Sequence, residues 1–262
     1  MRLKVLACDV LARELYGCAA RAQHTVHLAL LPQGLHDNSD TCRARLQADI
    51  DAVRPDLYDA VLLGYGLCSN SLAGVRAGAT RMIVPRAHDC ITLLLGSKER
   101  YARLFAEVPG TYWFSAGWLD SAEEGREQFA PMANSGLGPT YRRDWNELVA
   151  KYGEENARYL ADFMGQWEKH YTRGVLIEFE FTRHLGLAAR VRRICEEKGW
   201  TFETVEGDLG LIQAGFDGEW DPARFLLVEP GQVVRASYDD GILAAGPPPC
   251  ACGQGACKGS PA

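Results

Sequence analysis

The stretch Ile83-Val84-Pro85-Arg86-Ala87-His88-Asp89-Cys90 decides how this chain is read. A short apolar run ends at Pro85, and Arg86, His88, Asp89 and Cys90 follow at once. A strand that delivers reactive side chains at its carboxyl end marks an α/β sheet, where ligands bind outside the strand ends. Two further runs end in the same way. Val61-Leu62-Leu63 enters Gly64-Tyr65-Gly66-Leu67-Cys68, and Leu3-Lys4-Val5-Leu6-Ala7 enters Cys8. Three strand-like runs thus each place a cysteine at or just past the carboxyl end. They read as one composite site lined by thiols and imidazole.

The rest of the chain fits this frame. Residues 1–120 alternate strand and helix patterns: strands over 3–7, 25–31, 58–63, 81–84 and 111–115, helices over 10–21, 40–53 and 98–107, and a helix or tight turn over 89–96. Asp40 or Ser39 is the expected cap of the second helix, and Ser97 that of the 98–107 helix. This pitch predicts a mainly parallel, Rossmann-like sheet with right-handed crossovers and helices on both faces. Residues 121–172 lose the alternation and read as a helical insertion or lid. Residues 173–243 resume it and complete the core, with strands over 175–179 and 201–205, a helix over 185–198 stopped by Lys198-Gly199, and a short helix or loop over 208–215. A C-terminal hairpin is expected from 224–228 and 232–237 across Glu229-Pro230-Gly231. Residues 244–262 are Gly/Pro-rich and read as a disordered tail carrying Cys250, Cys252 and Cys257.

Bulk properties narrow the function classes. The chain has 262 residues, 47% hydrophobic and 24% charged, as ordinary globular proteins do. A net charge of −6 argues against nucleic-acid binding as the main purpose. No apolar run of about 18 residues offers a membrane span. The N-terminus goes directly into a strand pattern without a secretory signal, so a cytoplasmic location is expected. Nine cysteines in an odd, irregular set suit a reducing compartment, where thiols serve packing, catalysis or metal binding.

Zinc and similar thiophilic divalent ions take thiolate and imidazole ligands, and catalytic sites leave one position open. The candidate ligands are Cys8, His36, Cys68, His88 and Cys90. Each has a plain alternative: a cysteine ending a buried strand can be a small packed hydrophobe, and His88 can simply bond Asp89 or a carbonyl. Arg86 is a candidate for an acidic substrate group, or a surface ion pair. Glu14 and Asp89 are the other candidate catalytic groups, Glu14 as a general base, a metal ligand or part of a solvated helix face. Tyr65, Gly66 and Asn70 are candidate pocket residues; Gly64-Tyr65-Gly66 lacks the dinucleotide and P-loop fingerprints, so no nucleotide is expected. A Cys–His nucleophilic pair from Cys68 or Cys90 with His88 is the metal-free alternative.

Together, Leu35-His36-Asp37-Asn38, Gly64 to Cys68, Ile83 to Cys90 with Leu94-Leu95-Gly96-Ser97, and Pro109-Gly110-Thr111-Tyr112 with Gly117-Trp118 resemble the family known as domain of unknown function 1638. The resemblance spans about residues 3 to 210, and the run Pro85 to Cys90 is its specific part. It implies a setting in corrinoid-dependent methyl transfer and methionine metabolism. There, zinc methyltransferases activate a bound thiol with Cys/His ligand sets. A thiolate-activating methyltransferase or its accessory is one expectation, with a small thiol or acidic substrate and a corrinoid protein or methyltransferase as partner. A non-catalytic module that delivers metal, corrinoid or thiol groups, using the tail cysteines, is the other.

Overall fold

The computed structural model describes residues 1–33, 35, 38–123, 153, 154 and 170–248, and the side chains of 121–123 are not part of that description. Its first sheet is built on β1 (Arg2–Cys8), β2 (Thr25–Leu31), β3 (Ala60–Gly64), β4 (Met82–Pro85) and β8 (Phe225–Val228), in the order β2-β1-β3-β4-β8. The first four strands run parallel, with Val5 opposite Leu28 on one side and Leu62 on the other, and Leu62 opposite Ile83. Every residue of β3 and β4 is buried, as expected for central parallel strands covered on both faces. The chain leaves β1 for β2, then returns to place β3 on the other side of β1. The strand order reverses between β1 and β3, and such a switch point opens a crevice at the carboxyl ends.

The first crossover begins with a 3-10 turn, Asp9–Leu11, before α1 (Ala12–Ala19), where the sequence suggests one continuous helix. The α2 helix (Ser39–Asp51) is capped by Asn38, whose side chain accepts from the Thr41 N–H at 2.9 Å, ahead of both expected caps, Ser39 and Asp40. The α3 helix (Cys90–Leu95) ends at Gly96, in the left-handed conformation, and α4 (Lys98–Glu107) is capped by Ser97.

The later strands depart from a single sheet. A separate parallel sheet, in the order β5-β6-β7, is formed by β5 (Thr111–Phe114), β6 (Arg173–Glu178) and β7 (Thr201–Glu206). Its inner face packs Tyr112, Phe114, Leu176 and Trp200 against Val191 and Cys195 of α6 (Leu187–Lys198), which stops at Gly199 as expected. After β5, α5 (Ala116–Glu123) turns back so closely that a side chain on Gly117 would overlap the Val10 carbonyl. The carboxyl end of β5 therefore lies against the turn that follows β1.

The hairpin expected across Glu229-Pro230-Gly231 forms from other strands. After α7 (Gly210–Asp217), β8 pairs antiparallel with β4, Ile83 opposite Leu227. Beyond the turn, β9 (Val233–Ala236) pairs instead with β10 (Leu243–Gly246), which runs from the last residue of the expected core into the expected tail over 244–262. The Gln232 and Val234 backbone also bonds the 74–77 segment (Ala77 N to Gln232 O, 2.9 Å; Val234 N to Val75 O, 2.8 Å), so no partner remains for a β8–β9 ladder. No helix among the described residues is long and apolar enough to cross a membrane.

Candidate functional site

The strand ends gather as the sequence suggests. Cys8 closes β1 and is 4% exposed. Cys68 follows β3, and Cys90 is the first residue of α3 after β4; both are half-buried. Two backbone bonds join the loops, Leu67 N to Ala87 O and Cys68 N to His88 O, each 2.8 Å. Gly66 permits this contact: a Cβ there would stand 2.5 Å from the Asp89 nitrogen.

Asp89 sits between the thiols as the N-cap of α3. Its Oδ1 accepts from the Thr92 N–H at 3.1 Å and from the Thr92 hydroxyl at 3.3 Å, and the Tyr101 hydroxyl of α4 also bonds it. Burial pushes the Asp89 pKa up. Burial, then the Asp89 charge, push the Cys68 and Cys90 thiols well above their usual range, and neighbouring thiols add to this. Backbone hydrogen bonds, at Gly66 for Cys68 and at Cys90 itself, pull the other way and are outweighed. These sulfurs stay protonated at neutral pH unless positive charge enters.

Tyr65 lies within the same group. It is 2% exposed, and its hydroxyl has no hydrogen-bond partner among the described residues, with Cys8, Cys42, Cys68 and Asp9 as its titratable neighbours. An unsatisfied buried hydroxyl is costly. Among the described residues, no three His, Cys, Asp or Glu side chains stand close enough to hold a metal ion as placed.

Other candidates are placed elsewhere. The His88 side chain is exposed, and only its carbonyl joins the loop contact. Arg86 donates to the carbonyls of Pro222 (2.7 Å), Gly241 (2.7 Å) and Leu243 (2.6 Å), so its fork clasps the C-terminal strands. Glu14 is fully buried on α1, with no side-chain partner for its carboxyl oxygens among the described residues; burial pushes it up to about 7. Its charged neighbours are Arg13 and Asp120 of the α1–α5 seam, not the thiol rim. Asn70 is exposed at the end of the Cys68 turn. His36, the insertion over most of 121–172 and the tail cysteines lie outside the described residues.

Two participants escaped the sequence reading. Cys42 is buried on α2 beneath the Cys68 turn and bonds the Ser71 hydroxyl, and Tyr101 orients Asp89. Both look like core positions of amphipathic helices, and no spacing rule separates them from packing. A second concavity lies at the carboxyl ends of β6 and β7, where Phe181 stacks on Phe179 at 5.3 Å beside Arg21 and Asp208.

Comparison with known proteins agrees with the resemblance noted in the sequence. The chain matches the family model described as Protein of unknown function (DUF1638) over residues 30–215, and it belongs to that family. No curated protein and no solved structure matches it.

Proposed function

We propose that this chain binds a thiophilic divalent cation, zinc first, at the β1–β3 switch point, with Cys8, Cys68 and Cys90 as sulfur donors. The strand order β2-β1-β3-β4 supports reading this part as a Rossmann-like, doubly wound unit whose crevice opens there. The observation that carries the proposal is the gathering of three thiols, Asp89 and the partnerless Tyr65 hydroxyl at one rim. The donor chemistry fits such an ion, whereas the sulfurs stand wider than a ligand set, so binding draws them together.

A bound cation would supply the charge that converts these thiols, or a substrate thiol, to thiolate near neutral pH. Asp89, held by Thr92 and Tyr101, adds negative charge that favours a cation. Tyr65 offers a hydroxyl to whatever occupies the crevice. Activation of a thiol as a nucleophile is the step that methyl transfer to sulfur requires. With the family resemblance, this supports a thiolate-activating methyltransferase, or its accessory, in corrinoid-linked one-carbon or methionine metabolism. A metal-free Cys–His reaction is disfavoured, because the thiols are held protonated and His88 faces solvent.

Metal analysis and cobalt(II) titration of the reduced, full-length protein test the proposal. One ion per chain is expected, with a thiolate-to-cobalt charge-transfer band that weakens in Cys68→Ser and Cys90→Ser. A protein that holds no stoichiometric ion and shows no such band would sink the reading.

A further inference from the structure

We infer that the turn Cys68–Asn70 is a strained latch on the thiol site, closed in the structure and released when a thiophilic cation binds. The inference rests on the proposed metal reading and adds a means of regulating it. Cys68, Ser69 and Asn70 have φ of 43°, 53° and 65°, three successive non-glycine residues in the left-handed region. L-residues enter this region singly and at a cost, so a run of three persists only where the surroundings impose it.

The constraint comes from α2. Arg43 donates from Nε to the Ala73 carbonyl at 2.6 Å and from Nη2 to the Asn70 carbonyl at 3.5 Å, while its Nη1 is anchored on Asp40 at 2.7 Å. One residue earlier, Cys42 bonds the buried Ser71 hydroxyl. On the site side, Cys68 N is held by His88 O at 2.8 Å. The turn is therefore gripped at both ends, and its middle residue, Ser69, is exposed.

Two observations give the latch something to act on. Among the described residues no three ligating side chains stand close enough to hold an ion, so binding by these thiols requires a donor to move. The Tyr65 hydroxyl, buried beside Cys68, has a bond still to make. Cys68 is the donor whose backbone stores strain, so relaxing the turn frees this donor to move.

A latched and a released state in equilibrium respond oppositely to two substitutions outside the donor set. Ser69→Gly removes strain from the latched form and favours it. Arg43→Gln removes the grip and favours the released form. The readouts are zinc affinity by competition with a chromophoric chelator, and the iodoacetamide alkylation rate of Cys68 in zinc-free protein, resolved by peptide mass spectrometry. Ser69→Gly is expected to weaken zinc binding and slow Cys68 alkylation roughly tenfold, the size of effect one left-handed non-glycine residue exerts. Arg43→Gln is expected to tighten binding and speed alkylation. Shifts of the same sign in both variants, or none in either, overturn the latch. If the wild-type protein binds no zinc, the metal reading fails, and the opposed alkylation rates alone still decide whether the turn is a latch.

Discussion

Glu14 is a fully buried carboxyl group beside Arg13 and Asp120, and burial raises its pKa from 4.5 to about 7. The folded chain therefore holds a proton that the unfolded chain releases above about pH 4.5. That contribution is complete below pH 4.5 and is lost as the pH rises toward about 7, a fall of about 3 kcal/mol in unfolding free energy. Urea titrations of Glu14→Gln across this range should show that component flattened, with a more stable protein at pH 8; an unchanged pH slope would assign the proton elsewhere. Gly66 makes a second prediction. A methyl group there meets the Asp89 backbone, so Gly66→Ala should cost about 2 kcal/mol and part the two loops. The placement of Cys8, Cys68 and Cys90 at or just past strand ends was legible in the sequence, because apolar runs mark the strands. Single residues were illegible where a helix hid them, as with Cys42 and Tyr101, or where an eligible side chain was spent on structure, as with Arg86.

At the scale of elements, α3 is only six residues long and depends on its ends. Asp89→Ala removes the side-chain acceptor for the Thr92 N–H and should destabilise the fold by about 1 kcal/mol, while Asp89→Asn keeps the cap. The Arg86 fork ties three carbonyls from two segments, so Arg86→Met should cost about 2 kcal/mol and speed amide exchange in β9 and β10 before β1 or β3. Strand existence was readable from apolar runs, because burial on both faces leaves that mark. Strand partners were not. Phe225–Val228 and Val233–Ala236 looked like neighbours because a Pro-Gly turn joins them. The open edge of β4 and the 74–77 backbone, both distant in sequence, offered better ladders.

For the whole molecule, the division into two sheets was the least legible feature. Thr111–Phe114 and Arg173–Glu178 carry the same apolar pattern as the first-sheet strands, and nothing local states which sheet a strand joins. What joins the halves is close backbone contact, as at Gly117 on Val10 and at Asp208 N to Leu94 O, 2.9 Å. A chain truncated after residue 224 lacks β8, and sedimentation should find it aggregated rather than as a smaller folded form. The same pairing bears on synthesis. β4 leaves the ribosome well before β8, apolar along its length, and waits for its antiparallel partner to be translated. Throughout that interval the nascent chain exposes a sticky border, so folding in the cell calls for chaperone shelter until β8 emerges.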